Sequence, residues 1–140
     1  MSSFWKPCGL IFKPPTHLEW CRSHAMLPTP ILLDSEQYIW RIYFSGRDEF
    51  NRSSVSFFDL KATDSKLLIL SLNEKPVLTP GRRGTFDDNG VSPSCVTCDK
   101  EGRLLLYYIG WNPGSTTRVN LFGGLSWEES KNQFTRVFES

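Results

Sequence analysis

The chain has 140 residues, of which 39% are hydrophobic and 22% charged, a composition typical of one globular domain rather than a disordered chain. Its net charge of +1 creates no strong field, so we expect no nucleic-acid partner. No apolar run approaches the roughly 18 residues of a membrane span, so we expect no membrane association. The N-terminus lacks a signal-peptide pattern, because Lys6, Pro7 and Lys13 interrupt it, and a cytoplasmic location is therefore predicted.

Short apolar runs separated by turn residues recur along the chain, and no long stretch shows the periodicity of a helix. Aromatic residues make up 14% of the chain, which favours pleated structure. The sequence therefore predicts an all-β fold. In chain order the predicted strands are GLIF (9–12), PILLD (30–34), YIWRIYFS (38–45), SSVSFFDL (53–60), KLLILSL (66–72), VSPSCVTCD (91–99), RLLLYYIGW (103–111), RVNLFGGLSW (118–127) and QFTRVFE (133–139).

An internal repeat organises these strands. At an offset of 64 residues, Gly46 falls on Gly110 and Val55 on Val119 (110 − 46 = 64). Two units of four antiparallel strands predict two β-propeller-like blades. The predicted divisions are an N-terminal segment (1–27), a first blade (28–78) and a second blade (79–140).

Polar residues are concentrated in segments that this arrangement brings to one end of the blades. Alternating strand directions place the loops at 23–28, 46–52, 79–90 and 110–115 together. The sequence therefore predicts a polar site at this end.

The cysteine pair Cys95-x-x-Cys98 has the spacing of half a zinc site. It lies in a predicted strand, where positions i and i+3 face opposite sides. We therefore expect free thiols and neither a metal nor a cofactor.

Five segments, taken in order, resemble five-bladed β-propeller glycosidase-like proteins, the relatives of arabinanases, invertases and mannoside phosphorylases. The resemblance spans roughly residues 20–138 and implies the first two blades of a propeller, with a strand near 9–13 that would close the last blade. The general-acid glutamate of such proteins comes from a later blade, so we expect weak or absent hydrolase activity. The segments are SHAMLPTP (23–30), RIYFSGRDEFNRSSV (41–55), GTFDDNGVSPSCV (84–96), LLYYIGWN (105–112) and GGLSWEESKNQFTRV (123–137).

The resemblance also implies roles for an acidic pair and a histidine. Asp87 or Asp88 occupies the position of an auxiliary carboxylate that orients the sugar, and alternation along a strand predicts that only one of the two faces the site. The alternative is simple turn chemistry. His24, which the offset of 64 places opposite Asp88, is the candidate base, or else a packed or solvated histidine.

The remaining candidates are substrate-binding residues. Arg47, Asp48 and Arg52 could bind sugar hydroxyls or an anionic group, or form a structural ion pair that stabilises the loop. Trp111 could stack on a sugar ring beside the amide of Asn112, or pack between the blades.

The sequence as a whole therefore predicts a carbohydrate-binding, glycosidase-like propeller. A non-catalytic sugar-binding module and an oligomerising truncated propeller are the alternatives. Exposed blade faces and the 9–13 segment predict a homo-oligomer, with a two-fold dimer favoured. Changing Asp87 and Asp88 to Asn is expected to remove sugar binding with little loss of stability.

Overall fold

A computed structural model describes residues 7, 9–64 and 66–138, and these residues form eight strands and no helix. The predicted all-β fold is confirmed, and each strand overlaps one of the apolar runs identified in the sequence. No helix among the described residues is long and apolar enough to cross a membrane. The strands are β1 (Ser23–Asp34), β2 (Ile39–Arg47), β3 (Ser53–Ala62), β4 (Leu67–Leu72), β5 (Gly90–Cys98), β6 (Leu104–Pro113), β7 (Val119–Ser130) and β8 (Gln133–Arg136).

The strands form two antiparallel meanders. Strands β1 to β4 pair in succession in the first meander, and β5 to β8 pair in succession in the second. A single parallel bridge between Ser53 and Gly90 joins β3 to β5. The ladder between the meanders is therefore minimal, and side-chain packing has to hold them together.

The apolar run at 9–12 does not form the predicted strand. Pro14 and Pro15 follow it without backbone N–H donors, and Gly9 has a φ of +82°, which breaks an extended conformation. Phe12 packs instead on the first meander, with its ring centroid 4.2 Å from that of Phe58. The segment is therefore an apolar cover and not a strand.

The main core lies between the two meanders. On β2 and β3, Tyr43 and Phe57 face the second meander, which presents Leu106, Tyr108 and Phe134. The Tyr43 and Phe134 rings meet edge to face at 5.9 Å. This packing follows from the two-residue alternation of strands, which sends every second side chain of β2 and β6 into the same core.

The alternate residues leave one apolar face on the outside of each meander. The first open face, formed by Ile42, Phe44, Phe58 and Leu60, borders a groove of about 410 Å³. The second open face, formed by Tyr107, Ile109 and Leu125, borders a groove of about 430 Å³. Each meander therefore has one covered face and one open face.

The repeat offset of 64 holds for β2 and β6 but not for β7. Gly46 pairs with Ser54, eight residues on, whereas Gly110 pairs with Phe122, twelve residues on. The second hairpin is thus four residues longer (12 − 8 = 4). Val119 is consequently not the structural counterpart of Val55, which is a correction to the sequence alignment of the two repeats.

Candidate functional site

An open groove of about 990 Å³ lies at the end of the sheet where the β2–β3 hairpin meets the loop at 79–89. Three of the four segments predicted to converge contribute to it or border it, while residues 18–22 replace the segment at 23–28. Its walls are strongly polar. The charged residues that line it are Glu19, Arg22, Asp48, Glu49, Arg52, Arg83 and Asp88.

Asp48 closes the β2–β3 hairpin. One carboxylate oxygen accepts backbone N–H bonds from Phe50 and Arg52 at 2.9 and 2.8 Å, and the other accepts the Arg52 Nε–H at 2.9 Å. The β5–β6 hairpin at the opposite end repeats this arrangement, with Asp99 accepting from the Arg103 backbone at 2.9 Å and from its Nε at 2.7 Å. The DEFNR (48–52) and DKEGR (99–103) turns are thus two copies of one motif, which supports the structural interpretation of Asp48 and Arg52.

Phe50, at the tip of the DEFNR turn, borders the groove and is 68% exposed. Arg52 lies over its ring, 5.3 Å from the centroid. The matching position of the DKEGR turn is Glu101, so the turn itself does not require an aromatic residue. Sequence reasoning missed Phe50, and a comparison of the two turns would have found it.

Asp87 is 1% exposed and belongs to a buried network rather than to the groove. Its carboxylate accepts hydrogen bonds from Arg136 Nε at 2.8 Å, Tyr108 Oη at 3.1 Å and Thr85 Oγ1 at 2.9 Å. Arg136 also donates to the Thr79 carbonyl at 2.6 Å. Asp87 therefore fixes the 79–89 loop to β6 and β8.

Asp88 points the other way, as strand alternation predicts, and lines the groove beside Asn89. Its Oδ2 accepts the Gly84 backbone N–H at 2.8 Å. One carboxylate oxygen is thus engaged by the turn. The other has no such bond to the turn and can meet a ligand from the groove side.

His24 does not line the groove. It has a φ of +65°, is exposed, and its Nδ1 lies 2.8 Å from Ser23 Oγ. A Cβ on Gly46 would meet Cys21, and a Cβ on Gly110 would meet Asp87. The counterpart of Asp87 in the first repeat is therefore Cys21, a buried thiol, and the proposed correspondence of His24 with the acidic pair is wrong because the repeat offset changes here.

Arg47, Trp111 and Asn112 form a layer below the groove rather than its wall. The Arg47 guanidinium lies 5.6 Å from the Trp111 ring centroid, and Trp111 Nε1 donates to Ser53 Oγ at 2.8 Å. Asn112 Nδ2 donates to the Thr85 carbonyl at 3.4 Å. These contacts support the packing alternative for Trp111.

The described residues contain no group of three or more His, Cys, Asp or Glu side chains that could hold a metal ion. Cys21, Cys95 and Cys98 are free thiols, the first buried and the other two exposed. Burial raises the pKa of Cys21 to about 11. This thiol is therefore protonated at neutral pH and inert as a nucleophile.

Comparison with known proteins identifies relatives but no characterised family. No family model matches the chain, and no solved structure matches it significantly. Two uncharacterized proteins, from two strains of Mycobacterium tuberculosis, are each 43% identical to it over 134 residues. The match covers 94% of this chain but 43% of each relative, so the chain spans less than half the length of the curated relatives it matches.

Proposed function

We propose that the chain is a non-catalytic carbohydrate-binding part of a glycosidase-like β-propeller, with its sugar site in the groove between the β2–β3 hairpin and the 79–89 loop. The observation that carries the proposal is Phe50, an exposed aromatic ring on a turn that does not need one, beside the carboxylate of Asp88. Sugars bind where an apolar ring face meets polar groups that accept their hydroxyls.

The two meanders and the length of the relatives support the propeller architecture. A matched length of 134 residues at 43% coverage corresponds to a relative of about 310 residues (134/0.43). At about 64 residues a repeat, such a protein has room for nearly five units (310/64 ≈ 4.8). Five four-stranded blades are within the usual range for propellers.

The arrangement of carboxylates favours binding over hydrolysis. Glycosidases need two carboxyl groups that can reach the scissile bond. Asp87 is buried against Arg136, and Asp48 is held by its hairpin and Arg52. Asp88 thus remains as the best-placed carboxylate, and one such group suits hydroxyl recognition rather than acid–base catalysis.

A binding experiment with matched turn variants tests the proposal. Wild-type chain is screened on a glycan array, and the strongest sugar is titrated calorimetrically. Phe50→Glu copies the residue of the DKEGR turn and should weaken binding about tenfold, since aromatic stacking contributes about 1 kcal/mol beyond burial. Glu101→Phe, which makes the reciprocal change at the opposite end, should bind like the wild type.

Asp88→Asn gives a second measurement on the same groove. It removes the charged acceptor while keeping an oxygen for the Gly84 N–H, so we expect weaker binding with an unchanged melting temperature. Sugar binding that survives both Phe50→Glu and Asp88→Asn would refute the assigned site. A chain that binds no sugar on the array would refute the function.

A further inference from the structure

We infer that the chain associates with copies of itself head to tail, with the second open face of one copy packed on the first open face of the next. The two faces border apolar grooves of about 410 and 430 Å³ on opposite sides of the molecule. This inference is independent of sugar binding. It concerns faces away from the polar groove.

The contact between the two meanders is a template for this association. In it, the side of β2 that carries Tyr43 packs on the side of β6 that carries Tyr108. The repeat offset of 64, which holds for these two strands, relates Tyr43 to Tyr107 and Phe44 to Tyr108 (107 − 43 = 64; 108 − 44 = 64). The second open face is therefore the repeat counterpart of the covered face of the first meander.

The first open face is, in the same way, the counterpart of the covered face of the second meander. Ile42 and Phe44 correspond to Leu106 and Tyr108, which are buried in the core between the meanders. Each open face thus presents the kind of surface that its opposite number already binds within the chain. The faces are complementary to each other and not to themselves.

Exposure of the two faces provides the driving force. Tyr107 is 44% exposed on the second open face, and Leu32, which pairs with Trp40 on the first-open-face side of β1 and β2, is 42% exposed. Contiguous exposed apolar surface of this kind marks an association site. Phe12 covers part of the first open face, by stacking on Phe58, and leaves the groove beside it open.

A contact between two different faces has a different consequence from the two-fold dimer expected from the sequence. A two-fold contact uses the same patch on both copies, whereas a head-to-tail contact leaves one free face at each end of every dimer. Association therefore continues past the dimer as the concentration rises. The solution mass should show trimers and larger species.

Sedimentation velocity of the full chain and of two face variants tests the inference. Leu32→Glu places a charge on the first open face and Tyr107→Glu one on the second, both at half-exposed positions where the monomer tolerates it. Each variant alone should be monomeric, because its intact face has no complementary partner. An equimolar mixture should give a 1:1 dimer of twice the monomer mass that does not grow further.

The mixing experiment separates the possible geometries. A variant that dimerises alone would indicate a two-fold contact through its intact face and would overturn the head-to-tail arrangement. A wild-type chain that stays monomeric at the highest concentration would overturn self-association altogether. Leu121→Glu, at a more exposed position paired with Trp111, repeats the test if Tyr107→Glu fails to fold. Phe50→Glu, in the polar groove, should associate like the wild type.

Discussion

Two adjacent aspartates carry opposite roles at the start of β5. Asp87 is buried and ion-paired with Arg136, while Asp88 lines the polar groove. The expectation that both could be changed to Asn at little cost was therefore wrong for Asp87. Their identity in sequence hides the difference, because it arises from an arginine 49 residues away in the chain.

We predict that Asp87→Asn lowers the free energy of unfolding by about 2–3 kcal/mol, because it leaves the Arg136 guanidinium without its charge partner. The remaining 19% exposure of the Arg136 side chain keeps the loss below that of a fully buried pair. Urea denaturation measures it. Asp88→Asn is the neighbouring control, with an expected change within about 0.5 kcal/mol. Equal effects of the two variants would contradict the separation of roles.

Two buried tyrosines predict a loss of stability at alkaline pH. Burial raises the pKa of Tyr43 from 10.0 to about 12, and burial together with the Asp87 carboxylate raises the pKa of Tyr108 to about 12. The unfolded chain then releases these protons near pH 10 and the folded chain near pH 12. The stabilisation is complete below pH 10 and is lost as the pH rises to 12.

The measurement is the free energy of unfolding in urea between pH 9 and 12, a range set by the pKa values of these two tyrosines. We expect it to fall above pH 10, and to fall less steeply in Tyr43→Phe. Tyr38→Phe, at an exposed position, should keep the wild-type slope. A profile that Tyr43→Phe leaves unchanged would assign the loss to other groups.

At the scale of the elements, the two Asp-x-x-x-Arg turns differ in the residue that adopts a left-handed conformation. Asn51 has a φ of +61° in the first turn and Gly102 one of +81° in the second. A residue with a Cβ is strained there, although Asn tolerates it better than most. The backbone therefore constrains Asn51 to Asn or Gly.

We predict that Asn51→Ala and Gly102→Ala each destabilise the fold by about 1 kcal/mol, whereas Asn51→Gly is close to neutral. Thermal unfolding of the three variants measures the differences. Since Asn51→Gly copies the second turn, it also tests the equivalence of the two hairpins. A marked loss of stability in Asn51→Gly would show that the asparagine side chain has a role of its own.

The sequence predicts the strands better than their register. Eight apolar runs become strands because alternation and turn residues are local signals that tertiary packing reinforces. The run at 9–12 has the same composition but lacks a strand partner within the described chain, and partners are not encoded locally. The four extra residues between β6 and β7 shift the repeat, and the resulting error moved a site role from the position of Cys21 to His24.

The site was predicted in its place but not in its members. Strand direction alone places the hairpin at 48–52 beside the loop at 79–89, and the groove lies there. Which side chains face it depends on packing: Trp111 is held below by Ser53 and Arg47, and Phe50 is left at the surface. Such choices follow from contacts between distant residues, which the pattern of one strand does not contain.

At the scale of the whole molecule, the two meanders are joined by packing far more than by backbone pairing. One parallel bridge at Ser53 and Gly90 connects the ladders, and the Phe134 backbone N–H donates to the Val77 carbonyl at 3.2 Å. The core cluster draws residues from both meanders. Each meander alone would leave both of its apolar faces in water, so neither is expected to fold without the other.

Phe134→Ala tests this interdependence. Phe134, on β8, meets the Tyr43 ring of the first meander at 5.9 Å, and its loss should destabilise the protein by about 3–4 kcal/mol through the cavity it leaves. Because the core is shared, we expect one unfolding transition in the wild type and in the variant, with the same midpoint by tryptophan fluorescence and far-ultraviolet circular dichroism. Trp20 and Trp40 report on the first meander and Trp111 and Trp127 on the second, so fluorescence follows both. Two separate transitions, with only the second meander's shifted by Phe134→Ala, would mean that the meanders fold as independent units and that their contact is too weak to serve as a template for association.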